Sequence, residues 1–177
     1  MQLLAPYKDI IVFVVAMLVA NYFWKFTFSG DEDDLIVSWL GIDVTTPFAL
    51  MAQHIASVVS WVIDLFRDTV RYVEPYTIRF DSGNGVRIVW GCTGLKQSFI
   101  WLCIMLAAAG SAKRKLWFIP LGWLTIYLFN ILRIIVTALI VEHHPELFEL
   151  FHSYIFKYMF YFMLFMLWVW WTERLSH

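Results

Sequence analysis

The chain has 177 residues, of which 61% are hydrophobic, 19% aromatic and only 15% charged, with a net charge of −1. A soluble domain usually carries about 25% charged and about 45–50% apolar residues, so at a mean hydropathy of +0.69 too little polar surface exists to cover one globule. A soluble monomer and a disordered chain are excluded, and without a basic footprint no nucleic-acid partner is expected. What remains is a polytopic membrane protein surrounded by the lipid bilayer. Its 2 cysteines are too few for a disulfide framework or a four-thiolate metal site.

Residues 10–28 are apolar apart from Asn21 and Lys25, and about 20 such residues cross roughly 30 Å of hydrocarbon. Bulky Tyr22, Phe23 and Trp24 occupy the positions where signal cleavage needs small side chains, so this is read as a retained first helix. The acidic run Asp31, Glu32, Asp33 and Asp34 follows and is read as a solvated loop in preference to a calcium site.

Residues 46–72 are predicted to form a helix. Pro47 suits its first turn, and Asp64, Arg67, Asp68 and Arg71 have the spacing of i,i+3 and i,i+4 ion pairs. Its apolar stripe, Leu50, Met51, Ile55, Val58, Val59 and Val62, suits a helix lying at the outer interface, with a full crossing as the alternative. Residues 76–90 contain two β-rich runs around Ser82-Gly83-Asn84-Gly85, a hairpin signal. The second run leads into Gly91-Cys92-Thr93-Gly94.

Residues 95–112, 117–141 and 153–171 are predicted to be membrane helices. The basic cluster Lys113-Arg114-Lys115 between the first two assigns that loop to the cytoplasm. The helices then run inward, outward and inward again, which places the hairpin and residues 142–152 outside. The fold class is therefore an all-α polytopic membrane protein of four or five transmembrane helices, with an outer interfacial helix and a small external β-hairpin before Cys92.

Cys92 immediately precedes a membrane helix, where unpaired N–H groups and the helix dipole suit a reactive thiol. A small residue filling a tight turn is the other reading. Flanking Gly91 and Gly94 allow the backbone to bend and a ligand to approach closely. Cys103, inside an apolar helix, reads as packing. Arg133 lies about 24 Å up its helix from Trp117, in the outer part of the hydrocarbon, where an arginine is expensive and usually functional. Snorkelling to the interface is the alternative, and Asn130, one turn earlier, is placed to brace it. His152 opens the last helix and is a candidate proton carrier. His143 and His144 share its loop, and spacing alone does not choose among the three. A metal site built from Glu142, His143, His144 and His152 lacks the spacing of helical zinc sites, so no metal is expected. A cysteine, an arginine and a histidine at one level are the parts needed for acyl transfer.

Gly91-Cys92-Thr93-Gly94-Leu95-Lys96, then Asn130-Ile131-Leu132-Arg133, then His152 together resemble the exosortase/archaeosortase family. That family carries a Cys-Ser/Thr-Gly-Leu segment, a later Asn-x-x-Arg segment on a membrane helix, and a histidine opening the next helix. The resemblance spans about residues 46 to 171, and the chain looks like a compact bacterial form. It implies a cysteine peptidase or transpeptidase of the bacterial cytoplasmic (inner) membrane, with its active site facing outward and no metal or organic cofactor. Its substrates would be exported proteins ending in a short motif, a membrane helix and a basic tail, cleaved through a thioester on Cys92. His152 would be the acid/base, Arg133 would orient or stabilise the scissile carbonyl, and Thr93, Gly94 and Asn130 would support the site. The alternative is a non-catalytic membrane subunit of a transporter or assembly complex, in which Arg133 and the external histidines bind a partner or an ion.

Overall fold

The computed structural model describes residues 7–31, 36–66, 70–73 and 76–175. It begins with helix α1 (Lys8–Thr27), strands β1 (Phe28–Asp31), β2 (Ile36–Trp39) and β3 (Ile42–Asp43), and helix α2 (Thr45–Asp64). Strands β4 (Val70–Val73), β5 (Thr77–Phe80) and β6 (Gly85–Arg87) follow, then a 3-10 turn at Trp90–Cys92. Helices α3 (Leu95–Ala107), α4 (Ala112–His143) and α5 (Phe156–Trp170) complete the bundle, with a π-helical turn at Leu150–Ile155 leading into α5. Among the described residues, α1, α2, α4 and the stretch Pro145–Leu175 are long and apolar enough to cross a membrane, and α3 is a shorter apolar helix.

Large apolar side chains point outward all around the bundle, among them Phe26, Leu128 and Phe162. In water such a surface would aggregate; in lipid it faces its own solvent. The inward face of α1 is the narrow stripe Phe13, Ala20 and Trp24, one side of a 3.6-residue period. It packs with α3, the first half of α4 and α5 into a core that includes Ile100, Trp101, Phe118, Phe160 and Leu164. Here α3 and α4 approach closely, because the indole of fully buried Trp101 lies over Gly122 where a Cβ would overlap it. A small residue opposite a large one is the usual means of close helix approach in membranes. Indole N–H groups tie the pair further: Trp101 donates to the Ile119 carbonyl at 3.3 Å and Trp123 to the Ser98 carbonyl at 3.1 Å.

A second core lies toward the other end of α4. There α2 contributes Ala52, Ile55, Ala56, Val59 and Ile63, the β5–β6 hairpin contributes Ile78 and Phe80, and α4 contributes Ile131, Ile134 and Ala138. Cys92 belongs to this core. With 32 residues, α4 is about 48 Å long, well beyond a hydrocarbon layer of about 30 Å. Its excess length carries the strands: the Asn84 side-chain amide donates to the Glu142 carbonyl at 3.1 Å.

The expected hairpin is present, antiparallel with Ile78 opposite Val86, and turns through Gly83 at φ +89°. It is one edge of a three-stranded sheet, because β4 pairs with β5. Helix α2 thus ends at Asp64 and does not run to residue 72. Val70, Tyr72 and Val73 lie in a strand, which suits their β-branched and aromatic character. Of the expected ion-pair residues, Arg67 and Asp68 lie outside the described residues, as does the side chain of Arg71.

The other sheet, β1–β2–β3, has no counterpart in the sequence reading. Its Val37 is buried against Trp24 and Phe48. The Asp43 carboxylate accepts the backbone N–H of Thr45 at 2.8 Å at the start of α2, and its hydrogen bonds to Thr45 lower its pKa. Asp31 closes β1; the rest of the acidic run lies outside the described residues.

The basic cluster occupies the first turn of α4 and is not a loop. Cations there oppose the helix dipole, so their role is not to stabilise the helix end. Arg114 donates to the Leu175 carbonyl at 2.8 Å, and the Trp171 indole donates to the Ala109 carbonyl at 2.9 Å. The α3–α4 connection is thereby tied to the end of the last helical stretch.

Candidate active site

Cys92 closes the 3-10 turn that follows β6, with its N–H donating to the Val89 carbonyl at 2.8 Å. Buried Thr93 turns its hydroxyl back to the Trp90 carbonyl at 2.7 Å. Gly94 then takes φ +75°, a left-handed conformation that glycine adopts without a Cβ penalty, and α3 starts at the next residue. The chain changes direction here, delivering the cysteine from the sheet to the mouth of a membrane helix. Gly91 plays a different part: its φ is ordinary and nothing lies within 4 Å of where a side chain would stand. Open space beside the thiol is its contribution.

Asn130 secures this turn from α4. It is 1% exposed, and its side-chain amide donates to the Cys92 carbonyl at 2.8 Å. One turn later, Arg133 is buried to 6% exposure. Its guanidinium carbon stands 5.7 Å from the centre of the Phe160 ring on α5, a cation–π distance. Its Nε has no hydrogen-bond partner among the described residues. Snorkelling therefore does not describe Arg133, since its charge is held inside the bundle.

His152 approaches from the opposite side. It lies in the π-helical turn, an irregularity that recurs at functional sites, and its ring stacks on Phe148 with centroids 4.9 Å apart and planes 13° from parallel. Its Nε2 is 3.9 Å from the Cys92 sulfur, within reach of a sulfur hydrogen bond.

The structure therefore brings Cys92, Arg133, His152 and Asn130 together. His143 and His144 stand apart, 60% and 63% exposed, beside Glu142 and Glu146 respectively. Among the described residues no three His, Cys, Asp or Glu side chains gather in a metal-binding group. Cys103 packs at the edge of the α1–α3–α5 core.

Two cavities meet at this cluster. One, of about 280 Å³, lies under the hairpin, with Val86, Ile88 and Thr137 in its wall. The other, of about 490 Å³, lies between α1 and α5, and its wall includes Trp24, Trp90 and Tyr161. Cys92, Arg133 and His152 line both, so the three groups form the partition between two spaces. The larger cavity also holds Lys25, Lys96 and Lys157, of which Lys25 stood out in the sequence as a break in an apolar run and Lys96 as the end of the cysteine segment. The signal available there was that three hydrophobic segments are each broken by a single lysine near the same end.

A buried thiol, an imidazole and a guanidinium gathered on a cavity wall inside a helical bundle define the class, a polytopic membrane protein with a Cys-His-Arg site. The sequence profile of the transmembrane exosortases matches residues 35–171, and the chain belongs to that family. Neither a curated protein nor a solved structure matches it.

Proposed function

We propose that the protein is a cysteine peptidase or transpeptidase of the bacterial cytoplasmic membrane that cleaves C-terminal sorting signals of exported proteins at the outer face. The observation that carries this reading is the Cys92–His152 approach at 3.9 Å on a wall shared with Arg133 between two cavities. One cavity would receive the chain on the acyl side of the scissile bond and the other the departing side.

His152 Nε2 takes the proton from the Cys92 thiol as sulfur attacks the scissile carbonyl carbon. Negative charge develops on the carbonyl oxygen, where the Arg133 guanidinium stabilises it in a site of low polarity. Collapse breaks the C–N bond, the departing amine takes the proton from His152, and a thioester remains on Cys92. Water or an amine then attacks the thioester and returns the proton to sulfur. Asn130 acts as a positioning residue through the Cys92 carbonyl.

The basic start of α4 supports the outward orientation under the positive-inside rule. With Arg133 ten residues short of His143, α4 continues about 15 Å past the site, which sets the site near the outer hydrocarbon boundary. In that frame α2, packed on the later half of α4 and on the strands, lies at the outer interface.

The test is co-expression with an exported protein ending in a motif, a membrane span and a basic tail, ideally one encoded nearby. Wild type is expected to shorten it and Cys92→Ala to leave it full length. Processing that continues in the Cys92→Ala strain would sink the proposal. A membrane-impermeant thiol reagent applied to intact cells, in a Cys103→Ser background, is expected to label Cys92; labelling only after the membrane is opened would reverse the orientation.

A further inference from the structure

The larger cavity holds three ammonium groups for which the proposed chemistry has no use. Lys25 comes from the last turn of α1, Lys96 from the first turn of α3 and Lys157 from the first turn of α5. Membrane-edge lysines ordinarily snorkel outward and away from one another. Here three helices send theirs to one cavity, whose described wall already includes the Arg133 guanidinium and no carboxylate. Converging like charges at the edge of hydrocarbon are unfavourable unless an anion sits among them.

Further donors lie around the same wall. The Trp24 indole N–H, the Trp90 indole N–H and the Arg133 Nε–H are buried without hydrogen-bond partners, against a single acceptor in that condition, Gln97 Oε1. Trp24 is itself 6% exposed. With Lys25, Lys96, Lys157 and Arg133 in its described wall and no carboxylate, the cavity carries an excess of charged donors, which suits an oxyanion with several acceptor oxygens.

The shape of the opening indicates where that anion comes from. Helices α1 and α5 touch toward their cytoplasmic ends, where Phe13 meets Phe165 at 5.6 Å and Trp168 at 4.8 Å. Toward their outer ends the cavity separates them, with Trp24, Lys25 and Phe28 on one side and Lys157, Phe160 and Tyr161 on the other. Exposed Phe26 and Phe162 continue those two walls onto the lipid-facing surface. A charged interior bordered by a hydrocarbon-facing surface fits an amphiphile, with its head inside and its tails along the helices.

We infer that the cavity between α1 and α5 is a binding site for the phosphate of an outer-leaflet lipid headgroup, held by Lys25, Lys96 and Lys157 beside Cys92. The inference rests on the outward orientation proposed above and is independent of the peptidase chemistry, because binding is read in the full-length Cys92→Ala protein.

The experiment is native mass spectrometry of that protein in delipidated detergent micelles, with phosphatidylglycerol, diacylglycerol of the same chains and inorganic phosphate as probes. Phosphatidylglycerol is expected to bind more tightly than the other two and to raise the unfolding temperature. The triple variant Lys25→Gln, Lys96→Gln, Lys157→Gln is expected to lose affinity by about tenfold or more, the scale of charged hydrogen bonds. It should also lose the lipid-dependent rise in unfolding temperature. Single Lys25→Gln and Lys157→Gln variants, at exposed positions, keep the test open if the triple variant does not fold. Equal phosphatidylglycerol binding by wild type and variants would overturn the inference. So would inorganic phosphate matching the lipid. Intact lipid binding by the triple variant, with loss of its binding to an acidic C-terminal peptide, would overturn it in favour of a peptide carboxylate.

Discussion

The side-chain amide of Asn130 on α4 holds the backbone carbonyl of Cys92 at 2.8 Å, across 38 residues of sequence. The bond fixes the Cys92 turn to a helix that also carries Arg133, so thiol and guanidinium are positioned by one rigid element. In Asn130→Ala the carbonyl is left buried without this donor, at a cost of about 1–3 kcal/mol. We expect a folded protein whose rate of thioester formation falls about tenfold or more, with a smaller change in substrate affinity. Asn130→Asp keeps the volume but turns an oxygen toward the carbonyl and should be no better. An Asn130→Ala protein that turns over at the wild-type rate would remove the positioning role.

Arg133→Lys should fold, because the ammonium retains a charge facing Phe160, yet lose most activity. A point ammonium on a shorter reach cannot reproduce the planar fork. The expected fall in kcat is about a hundredfold, comparable with loss of one oxyanion donor. Near-normal turnover would show that only positive charge is required at this position.

Gly94 separates backbone strain from crowding. A Cβ there would stand 3.6 Å from Asn130, an ordinary contact, so the penalty of Gly94→Ala comes from the left-handed φ and amounts to about 1–2 kcal/mol. Gly94→Asn should cost less than Gly94→Val, since asparagine tolerates this region and β-branched residues do not. Thermal unfolding in detergent ranks the three, and an order of Val above Asn would contradict the account.

Gly122 presents the opposite case. Its φ is ordinary, and the added methyl of Gly122→Ala would overlap the Trp101 ring. Overpacking of this kind costs about 1–3 kcal/mol. Trp101→Phe in the same chain should recover part of the loss, a coupling that a double-mutant cycle measures directly. Independent, additive effects would mean that the two residues do not form the α3–α4 contact.

The membrane helices were legible because each apolar run is long and ends at charge, and the β5–β6 hairpin because Ser82-Gly83-Asn84 announces a turn. Cys92, Asn130, Arg133 and His152 stood out because polar groups are scarce in such a chain. Strand β4 was hidden by Asp64, Arg67, Asp68 and Arg71, whose i,i+3 and i,i+4 spacing imitates a helical charge ladder. The β1–β3 sheet was hidden by brevity: four, four and two residues are too few for an alternating pattern, and they draw their order from Trp24 and Phe48 elsewhere in the chain. Spacing alone did not choose among His143, His144 and His152; the family resemblance favoured His152, and the fold sets its ring 3.9 Å from the Cys92 sulfur. Convergence of Lys25, Lys96 and Lys157 depends on how three helices are arranged, and no local pattern encodes that.

The tether between Asn130 and Cys92 also acts as a ruler. Ala112, where the basic end of α4 begins, and Asn130 are eighteen residues apart on one helix, so Cys92 is tied to a point about 27 Å along α4 from its basic end. A substrate helix of the kind proposed, lying alongside with its basic tail at that end, would present the peptide bond that reaches the same height. Under the proposed reading, the site of cleavage is therefore selected by counting about eighteen helical residues up from the tail as well as by the motif. Lengthening or shortening the substrate's span would then slide a different bond, or none, into register with the sulfur.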